Sequence, residues 1–250
     1  MKKLIRSELL KQRTLRFPLI ALAAAAIAGG LTAIALITTA GHADNPPLDR
    51  HSLSQILHGP FAVVAGAALL LGILGTAGEF RHQTITSTLL VAPRRGRLVA
   101  AKVLVHAGLG ATLAVVACTA SQVVAVPWLS SQGIPLGAPI DVVRVLVGGI
   151  AAAALFGAAG AGLGALLGSQ TAAVSVSLVW LLAVEGLVVS LTSTPTLHEW
   201  LPGGALSVLA RGGTGPTTGV PLWVAAGCAV AYAGALLVAG SLRLITRDVA

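Results

Sequence analysis

Six apolar runs, each about as long as a bilayer is thick, constrain this chain more than any other feature. They cover residues 17–40, 57–78, 100–126, 143–167, 171–191 and 220–241. A hydrocarbon core of about 30 Å needs roughly 20 apolar residues at about 1.5 Å each. Inside that core every backbone N–H and C=O must be paired within the protein, which leaves helices or a closed barrel. The runs are continuous, rich in Ala, Leu and Gly, and lack the alternation of barrel strands. The expected fold is therefore all-α, a polytopic membrane protein of six transmembrane helices. Composition agrees, with 56% hydrophobic and 10% charged residues against about 25% charged in soluble domains. No intervening segment is long enough to bury a soluble core of its own, so residues 1–250 read as one membrane domain. The first run exceeds the roughly 7–15 apolar residues of a signal peptide and reads as a retained span, although GHA at 41–43 imitates a cleavage site.

Charge sets the expected direction. The chain carries 16 Lys and Arg against 8 Asp and Glu, but these sit at the ends of the apolar runs and form no stripe, which argues against nucleic acid as a partner. Thirteen of the cations fall on one side of the six runs: Lys2, Lys3, Arg6, Lys11, Arg13, Arg16, Arg81, Arg94, Arg95, Arg97, Lys102, Arg243 and Arg247. Arg50, Arg144 and Arg211 fall on the other. Positive charge collects on the cytoplasmic side, so both termini and the loop 79–99 are expected there.

That loop belongs to a polar island, GEFRHQTITSTLLVAPRRGR at 78–97. Ile85 and Leu89 stand four apart, flanked by Phe80 and Leu90, while Arg81, Gln83, Thr84, Ser87 and Thr88 supply polar surface. The pattern predicts a short amphipathic helix. Pro93 would end it, and Glu79 would sit near its N-terminus, where the helix dipole favours an anion. Arg94, Arg95, Arg97 and Lys102 form a basic inner-surface set facing anionic headgroups. An ordinary basic loop is the plainer alternative. Upstream, Leu4, Ile5, Leu9 and Leu15 share one broad face opposite Lys2, Lys3, Arg6 and Arg13, with Glu8, Lys11 and Arg16 interrupting the stripe. An interfacial N-terminal helix is expected, a disordered basic tail being the alternative.

The remaining motifs concern packing and polarity. GAGLGA at 160–165 matches a dinucleotide fingerprint, but it lies inside a span and not in a strand–turn–helix unit. Gly160, Gly164 and Gly168, four apart, instead suit close helix packing, within the chain or across a dimer. Glu185 falls inside the fifth run and is expected to face protein or water, as part of a translocation path, as a proton site or as a tie between helices. Trp128, Trp200 and Trp223 fall near the outer interface, where indoles are enriched. Cys118 and Cys228 lie within apolar runs and read as small hydrophobes, and the six His show no ligand spacing. No Walker A pattern occurs, and no cluster of catalytic residues is visible, so neither an enzyme nor a self-sufficient ATPase is expected.

The island resembles the loop after the second span in permeases of bacterial ATP-binding-cassette exporters of the second type, at Glu79, Arg81, Thr84, Pro93, Arg94, Arg95 and Lys102. The resemblance extends over the whole chain through its order of elements: basic N-terminal segment, six spans, coupling loop, and a last outward loop broken at Pro202-Gly203-Gly204. His82-Gln83 departs from the pattern. The resemblance implies a dimer of permeases, with the same or a homologous second protomer, in the bacterial cell membrane. It implies that Glu79, Arg81, Thr84, Ile85 and Leu89 engage two copies of a separate ATPase subunit, which binds the ATP; the chain itself takes no cofactor. It further implies a re-entrant helix pair in the last loop, a path lined by spans 1, 2 and 5, and export of a small or amphipathic substrate. A secondary transporter or a non-transport immunity or structural membrane protein stays open.

Overall fold

A computed structural model describes residues 1–14, 16–42, 45, 47–49, 51–81, 95–192, 195–213 and 219–246. Its elements are α1 (Lys2–Thr14), α2 (Arg16–Thr39), α3 (Ser52–His58), α4 (Phe61–Arg81), α5 (Arg95–Ser131), α6 (Pro139–Leu167) and α7 (Gln170–Val179). A π turn (Trp180–Val184) joins α7 to α8 (Glu185–Thr192), and α9 (Pro195–His198), α10 (Pro202–Ala210) and α11 (Leu222–Thr246) follow. The described residues hold no strand. Among the described residues six helices are long and apolar enough to cross a membrane, and each coincides with one of the expected runs. The protein is an all-α, multi-pass membrane protein.

Element ends differ from the pattern for local reasons. The second span begins earlier, with α3 leading into α4 across Gly59 and Pro60, where the proline has no N–H to continue the ladder. The third run was expected to stop at 126, before Pro127, yet α5 continues to Ser131. Tertiary packing overrides the break there, because Leu129 is fully buried with Ala125 and Val145. At 37 residues α5 is about 55 Å long, so part of it stands clear of a bilayer about 30 Å thick.

The centre of the bundle is α6, which packs on α4, α5 and α11. Small residues make this possible. A Cβ at Gly160 would collide with the Leu69 carbonyl of α4, and one at Gly157 with the His106 carbonyl of α5. Gly164 likewise faces Ile73 and Ala77 of α4. The Gly160–Gly164 face is thus a contact within one chain. Gly168 departs from that stripe: with φ +59° it closes the C-terminus of α6, its N–H bonding the Gly164 carbonyl at 3.0 Å. Glycine reaches this left-handed conformation without a Cβ clash.

Candidate functional site

The densest polar constellation lies where α1 meets the C-terminal end of α4 and the N-terminal end of α5. Lys102 Nζ stands 2.9 Å from Glu8 Oε2 and 2.6 Å from Glu79 Oε1. Lys11 Nζ stands 2.9 Å from Glu8 Oε1 and 2.9 Å from Glu79 Oε1. Two acids and two lysines from three helices thus form one network. Lys102 is only 2% exposed and Glu8 1%, whereas Lys11 is 43% exposed. Removing two such charges from water is costly, and the pairing is what makes their burial tolerable.

Each member has a local reason for its place. The short helix expected to begin beside Glu79 falls outside the described residues, and Glu79 itself lies in the last turn of α4. The helix dipole disfavours an anion there, and Lys11 and Lys102 offset it. Burial pushes the Glu8 carboxyl up, but Lys102 and Lys11 outweigh that and hold it below its ordinary value. For Lys11, burial acts downward and is outweighed by hydrogen bonds to Glu8 and Glu79, so its ammonium is held above the ordinary lysine value. Lys102, expected at the surface among headgroup-facing cations, is an interior residue because both carboxylates draw it inward.

One turn further along α5, His106 is fully buried. Its Nδ1 lies 2.7 Å from the Lys102 carbonyl, which only accepts, so Nδ1 carries the proton. Nε2 then accepts from Gln12 Nε2 at 3.3 Å. A Cβ at Gly75 of α4 would collide with this imidazole, so the missing side chain makes room for it. The buried face of α1 is therefore Glu8 and Gln12, with Leu4 and Ile5 half-buried beside them, while Leu9 and Leu10 are exposed. Of the residues that interrupted the apolar stripe, Glu8 and Lys11 turn out to attach the helix, while Arg16 opens α2. Their spacing, Glu8 to Gln12 and Lys102 to His106, is the signal that would have found them.

Of the island, Arg81 is exposed at the end of α4 and Arg97 is exposed in the first turn of α5. Arg95 opens α5. Thr84, Ile85, Leu89 and Arg94 fall outside the described residues, as does the side chain of Arg95.

At the opposite end, Glu185 is 3% exposed. Its Oε1 accepts from Trp180 Nε1 at 2.9 Å and from the Gly203 N–H at 2.8 Å. Gly203 follows Pro202 in the first turn of α10, so Glu185 satisfies an N–H that has no partner inside that helix, at the end favourable to an anion. A Cβ at Gly203 would run into the carboxylate. His198 Nδ1, 3.8 Å from Oε2, is too far for a hydrogen bond. Glu199 acts similarly, accepting from the Val220 N–H at 2.9 Å, and Tyr232 donates to the Trp200 carbonyl at 2.9 Å. The segment between α8 and α11 contains the short pair α9 and α10, the latter packed on α6 and α11.

Among the described residues no group of three His, Cys, Asp or Glu is placed to hold a metal ion. Compared with protein-family models and with curated proteins, the chain matches none.

Proposed function

We propose that this chain is the membrane subunit of an ATP-driven exporter, a permease moved by ATPase subunits encoded separately. One observation carries the reading: the ion-pair network ties the end of α4, through Glu79, and the start of α5, through Lys102, to α1, and segment 82–94 connects those two helices in the chain. A displacement imposed on that segment passes to α1, α4 and α5 together, which is what an energy-coupling loop requires. Arg81, exposed beside the segment, is the docking charge, and Glu79 is the internal relay. The bias of thirteen cations to one side supports a cytoplasmic position for the loop and both termini in a bacterial plasma membrane. Two ATPase copies and a second permease protomer complete the assembly. Glu185, held by two hydrogen bonds, acts as a helix tie, which speaks against a proton-coupled carrier.

Purification in mild detergent should recover a second chain bearing a Walker A motif, whose ATP hydrolysis rises several-fold with the permease in proteoliposomes. Arg81→Glu should cut that association at least tenfold while leaving the fold intact. A monodisperse preparation with no ATPase, or a cysteine at Thr84 labelled only from outside the cell, overturns the reading.

A further inference from the structure

Between α4, α6, α7 and α11 lies a half-open cavity of about 350 Å³. Leu69, Phe156, Leu163, Leu206 and Leu236 line it, with Trp180 at the side. Leu69, Phe156 and Leu236 belong to the middle turns of their helices, so the cavity sits near mid-depth, and α10 covers its outer end through Pro202 and Leu206. It is more than twice the roughly 150 Å³ of an apolar cavity that stays dry and takes up benzene.

The lining offers no free polar group. Its three polar side chains are Ser177, Trp180 and Tyr232. The Ser177 hydroxyl donates to the Val174 carbonyl at 2.9 Å, and the Tyr232 hydroxyl to the Trp200 carbonyl at 2.9 Å. Trp180 Nε1 donates to Glu185 at 2.9 Å. An occupant therefore meets only hydrocarbon, and a polar or charged ligand would lose its hydration without compensation. Access is sideways. α7 packs little on α11, and Val176, Trp180 and Tyr232 are exposed along that slot. The six spans put a bilayer around the slot, so lipid tails are what reach it.

We propose that this cavity is a binding site for one hydrocarbon chain of a membrane lipid, entering between α7 and α11. An occupied site restores the dispersion contacts that an empty one forfeits.

The test uses the intact protein in nanodiscs containing phosphatidylcholine with a diazirine in mid-chain. Photolysis should place adducts on α6, α7 and α11 at the cavity lining, and these should be displaced by excess non-reactive lipid. Ala159→Phe and Ala233→Phe, which fill the cavity, should each lower those adducts at least tenfold while labelling at exposed Leu182 and Leu191 is unchanged. Adducts spread evenly over the exposed faces overturn the proposal. If either variant misfolds, displacement on the wild type decides alone: lining adducts that do not saturate overturn the proposal. No step uses ATP, so failure of the exporter reading is a separate result.

Discussion

The two ends of this bundle bury carboxylates in opposite ways. At one end Glu8 and Glu79 are answered by the ammonium groups of Lys11 and Lys102, which belong to α1 and α5. At the other, Glu185 and Glu199 are answered largely by main-chain N–H groups at Gly203 and Val220. A backbone donor stays where its loop puts it, so the second arrangement pins a segment in one position. Reciprocal side-chain pairs can be exchanged, so the first can hold three helices together and still let them shift as a group. The difference predicts that the end bearing α10 is held more rigidly than the end bearing α1.

The comparison breaks most visibly at Lys102. Lys102→Met takes the buried ammonium away from both carboxylates, and loss of one partner from a buried pair costs about 3–5 kcal/mol. Chemical denaturation in detergent should show a loss of that order, with much of it recovered when Glu8→Gln and Glu79→Gln are added. A loss below about 1 kcal/mol would mean that the network contributes little.

A smaller effect is expected at the anchored end. Glu185→Ala leaves the Gly203 N–H and Trp180 Nε1 without their acceptor, for about 1–3 kcal/mol. Hydrogen exchange at Gly203 and Gly204 should quicken while amides of α1 are unaffected. Equal quickening at both ends would erase the distinction drawn between them.

Acidity gives the mildest probe. Glu8 has a native pKa below its ordinary 4.5, so its stabilisation is present above pH 4.5 and is lost as pH falls through the lowered value. Lys11 has a native pKa above its ordinary 10.5, so its stabilisation is complete below pH 10.5 and is lost as pH rises through the raised value. A spin label at exposed Ser7 should keep constant mobility across the window between them and loosen on the acid side. Loosening near neutrality would show that other groups hold α1.

Six spans, their all-helical character and the uneven distribution of charge were legible in the sequence, because length and hydropathy report directly on what a bilayer admits. The small-residue face at Gly160 and Gly164 was legible too, though its partner, α4, was not. Glu79 was singled out as a charge for docking, and Lys102 as a surface cation, while Glu8, Gln12 and His106 carried no visible role. Only the tertiary structure brought Glu8 and Glu79 within hydrogen-bond reach of Lys102, since side-chain charge pairing depends on which helix ends meet, and hydropathy along a chain holds no record of that.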